Sequence, residues 1–131
     1  MMPFRSTTVI ALLCLAAPYA HAAPKTVTVQ STLPPSAVFE VVNANVIRCF
    51  ADGEFVLTPY AGSTIQPPKV VINGRWGHQF SVIDMLPATQ GTDINVKLVY
   101  ALGRGRRGDD WKQALGEWVN SDTHTFCPRL P

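Results

Sequence analysis

The chain has 131 residues, 47% hydrophobic and 15% charged, with a formal net charge of +2. That is one domain's worth of chain. Its low charge and ample apolar content argue against a disordered polymer, and so small a net charge gives no bulk electrostatic reason for a nucleic-acid partner.

Residues 1–22 have the layout of a secretory signal peptide. Arg5 supplies the charged start, and Val9 to Ala17 (VIALLCLAA) form an apolar run too short to span a bilayer. Ala20-His21-Ala22 places small residues before a cut, so the mature chain is expected to start at Ala23 and to form a single domain over 23–131. Leu13 before Cys14 does not suit a lipidation site, and processing removes Cys14. Two cysteines then remain, Cys49 and Cys127, and an even count in an exported chain predicts one disulfide.

Lys25 to Ser31 (KTVTVQS) alternates, with Val27 and Val29 on one side and Thr26, Thr28 and Gln30 on the other, which is the pattern of a half-buried strand. In Pro35 to Gly53 (PSAVFEVVNANVIRCFADG), Val38, Val42, Val46 and Cys49 recur three to four residues apart on one helical face. Proline suits the first helical position, where no N–H is needed, and Gly53 offers a left-handed stop. Asn45 lies beside the apolar stripe, where a bond to neighbouring backbone is expected.

Glu54 to Tyr60 is the second strand, with Pro59 marking an edge. Lys69 to Asn73 is the third, followed by a turn at GRWG, 74–77, or a tighter hairpin at Asn73-Gly74, and His78 to Leu86 is the fourth. After a turn at Pro87 to Thr92, Asp93 to Leu102 alternates most clearly of all. The short links predict an antiparallel meander. Gly103 to Gly108 (GRGRRG) has the composition of a flexible basic connector. Asp109 or Asp110 would then cap a helix with Trp111, Leu115, Trp118 and Val119 on one face. Gly116 inside that helix costs up to about 1 kcal/mol against alanine unless close packing demands it. Thr123 to Pro131 is a tail held by Cys127.

The order β-α-β-β-β-β-α describes an α+β fold, a curved antiparallel sheet of about five strands packed on one side by two helices, which buries every apolar face. This layout resembles a shortened helix-grip (START-like) domain, in which the sheet wraps around the C-terminal helix. It is similar, too, to small secreted or lipid-anchored Gram-negative proteins of unassigned function that share the order and a Cys-Pro near the end, here Cys127-Pro128.

Signatures of catalysis are missing. His78 and His124 belong to no HxH, HxxxH or HExxH spacing, so neither a metal nor a cofactor is expected. Ser81 lies between His78 and Asp84, but side chains alternate along a strand and turn it away from both. No GxSxG elbow occurs, and GRGRRG lacks the lysine and spacing of a phosphate loop. Two clusters are candidates for binding. Trp111 and Trp118, with Leu98 and Tyr100 of the preceding strand, would line a pocket for an apolar ligand if the core does not claim them. Arg104, Arg106 and Arg107 would meet an anionic surface if they crown an exposed tip.

The expectation is a non-catalytic periplasmic or secreted envelope protein, an interaction module with no transmembrane anchor after processing and no nucleic-acid partner. The sequence does not identify the partner, which is an envelope protein on this reading or an apolar ligand on the next. The alternatives are a carrier of a small apolar ligand and an enzyme with an unrecognised site. A filled core favours the module, a closed cavity lined by the tryptophans the carrier, and polar groups converging in a cleft the enzyme.

Overall fold

The computed structural model describes residues 25–99 and 104–130. The elements are β1 (Lys25–Ser31), α1 (Pro35–Phe50), β2 (Phe55–Tyr60), β3 (Lys69–Gly74), β4 (Gln79–Ala88), β5 (Gly91–Leu98) and α2 (Arg104–Asn120). The strands form one antiparallel sheet in the order β1-β5-β4-β3-β2. Strands β2 to β5 are therefore a meander, and β1 joins its far side against β5. This is the α+β layout that the periodicities predict.

Helix α1 starts as its sequence dictates. Pro34 is the N-cap and Pro35 the first helical residue, and the Val38 N–H donates to the Pro34 carbonyl at 3.0 Å. Val38, Val42 and Val46 are fully buried, and Phe50 extends the stripe by one more turn. Asn45 is buried among them because its Nδ2 donates to the Val41 carbonyl at 2.9 Å. The Ala51 N–H closes the last turn on the Ile47 carbonyl at 3.0 Å, and Gly53, with φ +88°, turns the chain into β2.

The helix-facing side of the sheet carries Val27, Val70, Ile72, Ile83, Met85, Ile94, Val96 and Leu98, all buried. The last two strands differ from expectation at their ends. Strand β5 is Gly91–Leu98, beginning two residues before the expected Asp93 and ending before Val99, while residues 100–102 of the expected strand lie outside the described residues. The β4–β5 turn tightens to Thr89-Gln90 between the paired Ala88 and Gly91. Pro87 stays inside β4, paired with Thr92. The Met85 N–H points toward β3 and donates to the Pro68 carbonyl at 3.0 Å. Pro87, two residues on, points the same way but past the start of β3 at Lys69, where no acceptor goes wanting.

The C-terminal helix is where the sequence reading needs correcting. Residues 104–108 are not a flexible connector but the first residues of α2, so Asp109 and Asp110 are not its caps; Gly103 lies outside the described residues. Gly108 explains the difference. It is buried against β1, and a Cβ there would meet Lys25 Nζ at 3.0 Å and Val27 Cγ2 at 3.4 Å. This glycine lets helix and strand approach each other. Trp111, Ala114, Leu115, Trp118 and Val119 form the buried face. That face lies chiefly along β1 and α1 rather than over the β5 residues around Leu98.

Gly116 has no such reason. Nothing lies within 4 Å of a Cβ built there. Gly116→Ala is therefore expected to stabilise the protein by about 0.5–1 kcal/mol. The check is a shifted urea midpoint at unchanged denaturant slope.

Candidate functional site

Cys49 and Cys127, 78 positions apart in sequence, form the predicted disulfide, with Cα atoms 5.5 Å apart. The tail is also held by side chains. Glu117 Oε1 accepts from the Thr125 N–H at 2.9 Å, the Thr125 hydroxyl at 3.0 Å and the Phe126 N–H at 3.3 Å. Trp118 Nε1 donates to the Phe126 carbonyl at 3.1 Å, and Arg48 bridges Asn45 Oδ1 to the same carbonyl. Arg129 Nε donates to Asp110 Oδ2 at 2.8 Å. The Arg129 hydrogen bond holds the Asp110 carboxyl below its usual range. The Thr125 backbone N–H, with further bonds from the same strap, does so for Glu117. Asp110 is thus a tail anchor.

The structure disperses the other predicted residues. Trp111, Trp118 and Leu98 lie in the packed core, at 0%, 1% and 3% exposure. Tyr100 and the side chains of Arg104 and Arg106 lie outside the described residues. Arg107 is half-buried and already engaged with a neighbour. Ser81 is buried on the helix-facing side, Asp84 lies on the other side of the sheet, and His78 is exposed before β4 begins. No triad assembles from them. Among the described residues no three His, Cys, Asp or Glu side chains come close enough to hold a metal.

What the sequence reading missed is the tip between β3 and β4. Its backbone is tightly held. The Gly77 N–H donates to the Gly74 carbonyl at 3.0 Å, the Gly74 N–H to the His78 carbonyl at 2.6 Å, and the Arg75 N–H to the Glu54 carbonyl at 3.1 Å. Gly77 has φ +88°, which the reversal needs and which other residues rarely adopt. Strand β4 carries a bulge here, pairing Ile72 with Ser81 but Asn73 with Gln79, so Phe80 is the extra residue. Its ring covers Gly74, where a Cβ would come within 2.6 Å of Phe80 Cε2. Phe80 opens a row of aromatic contacts through Phe55 (5.7 Å), Phe50 (5.8 Å), Trp111 (6.0 Å) and Trp118 (6.2 Å) between ring centroids. The tip is in this way braced on the core.

On that brace stands Trp76, 86% exposed. It lines a depression of about 260 Å³ with Glu54, Phe55, Arg75, His78 and Phe80. Glu54, Arg75 and His78 are exposed around it. Neither Glu54 nor Arg75 is ion-paired among the described residues. A wider depression of about 820 Å³ lies at the opposite end of the sheet, beside the β4–β5 turn, but it is walled by Thr, Gln, Asn and Asp side chains and offers no aromatic surface. The signal for Trp76 was present in GRWG, because a tryptophan within a glycine-bounded turn belongs to neither face of a sheet.

The chain matches no protein-family model, no curated protein and no solved structure. No helix of the described residues is long and apolar enough to cross a membrane.

Proposed function

We propose that this chain is a non-catalytic binding module of the cell envelope, exported under the direction of residues 1–22, which engages its partner through the tip at Arg75–His78. Trp76 carries the reading. A large apolar side chain left in water forgoes stabilisation on the order of 2 kcal/mol or more, yet this one stands on a backbone fixed by three hydrogen bonds. Tryptophan and arginine are the residues that most often dominate binding energy at interfaces. The disulfide supports the compartment, since such bonds persist where the surroundings are oxidising. The filled core around Trp111 and Trp118 speaks for a surface module over a carrier, whose ligand would have to displace fully buried side chains.

The test is site-specific photo-crosslinking in the intact envelope. A photoreactive side chain at position 76 is expected to yield a discrete adduct, whereas one at Gln90, on the turn at the far end of β4, yields none. Equal labelling from both positions, or none from 76, sinks the reading.

A further inference from the structure

We infer that the tip binds a neutral carbohydrate, with one sugar ring stacked on Trp76 and its hydroxyls held by Glu54 and Arg75. The inference rests on the tip being a binding surface and names the chemistry of its ligand. Three observations lead to it. The first is the exposed indole. Its negative π-face attracts polarised C–H groups, which a pyranose presents on the faces of its ring.

The second is charge. Glu54 and Arg75 line the same depression with opposite signs, and neither is paired with another charged side chain among the described residues. An anionic headgroup or phosphate would meet Arg75 but be repelled by Glu54. An acyl chain would desolvate both charges and return nothing. A hydroxyl both donates and accepts, so adjacent sugar hydroxyls can donate to the carboxylate and accept from the guanidinium. The third is size. A depression of about 260 Å³ lies below the ~300–1,000 Å³ of pockets that enclose a drug-sized ligand. It suits one ring of a chain that continues into solvent.

The experiment uses the three indole N–H signals of the ¹⁵N-labelled protein, with the Trp76 signal assigned from Trp76→Phe. Chitotetraose and cellotetraose are titrated in turn, and vesicles of phosphatidylcholine and phosphatidylglycerol are added separately. At least one saccharide is expected to shift the Trp76 signal saturably while the buried Trp111 and Trp118 signals stay in place. Trp76→Ala should abolish binding, and Glu54→Gln and Arg75→Gln should each weaken it about tenfold, as befits loss of a hydrogen bond to a charged group. All three variants should keep the wild-type melting temperature, because the side chains they alter are exposed.

Failure of both saccharides to shift Trp76 overturns the inference, and so does a response of Trp76 to the vesicles alone. Either result, together with a discrete crosslink from position 76, removes the carbohydrate and leaves the binding module standing. Absence of both saccharide binding and crosslink removes both.

Discussion

Cys49→Ser is expected to lower the free energy of unfolding by about 2–5 kcal/mol. The bridge joins residues separated by 78 positions, and the chain-entropy cost removed from the unfolded state by such a loop is about 4.5 kcal/mol. Set against a typical total of about 5–15 kcal/mol, this is a large share. Urea denaturation of the oxidised protein, the reduced protein, Cys49→Ser and Cys127→Ser decides it. The last three should agree with one another and fall well below the first. A reduced protein as stable as the oxidised one would refute the expectation.

The tail should not simply leave when the bridge is absent, because Glu117, Trp118, Arg48 and Asp110 still grip it. That grip has a pH dependence whose sign follows from its carboxylates. Asp110 and Glu117 have folded pKa values below their usual ones. Their contributions are therefore fully present above the ordinary carboxylate range of about 4 and are lost as pH falls through the depressed values. In Cys49→Ser, amide exchange at Thr125, Phe126 and Arg129 should be slow near neutral pH and should accelerate in acid beyond the intrinsic pH effect. In the bridged protein the same amides should change less. Equal behaviour of the two proteins would show that the bridge alone holds the tail.

Trp118→Ala should cost about 3–5 kcal/mol. Trp118 is 1% exposed, meets Trp111 edge-on at 6.2 Å between centroids, and donates its indole N–H to the Phe126 carbonyl. Truncation removes the buried surface, the aromatic pair and a tail anchor together. Trp118→Phe keeps much of the volume and should lose less. Trp76→Ala, which removes the same side chain from the surface, should fall within about 0.5 kcal/mol of wild type. Because Trp118 and Cys127 secure the same segment, the loss in Trp118→Ala combined with Cys127→Ser should differ from the sum of the two single losses. A Trp118→Ala protein that unfolds at the wild-type midpoint would mean that this face of α2 is not the core it forms here.

Much of this fold was legible because its determinants are local. Alternation in KTVTVQS and in 93–98 assigns strands whatever lies opposite them. The spacing of Val38, Val42 and Val46 assigns a helix face, and the proline at its start needs no partner. The disulfide followed from an even count of cysteines and the compartment implied by residues 1–22. What sequence alone could not decide depends on segments far apart meeting. Gly108 resembles a linker glycine until β1 lies against it, and only then does the helix extend back to Arg104. Pro87 resembles a strand breaker until β3 is seen to start beyond its reach. Asp110 resembles a cap until Arg129 folds back onto it. Trp76 was one residue of a turn until the bulge at Phe80 braced that turn on the core and left the indole in solvent. Propensity and periodicity act over a few neighbouring residues. Whether a side chain is covered, paired or left in water is decided by which distant surface packs against it, and that is a property of the assembled fold.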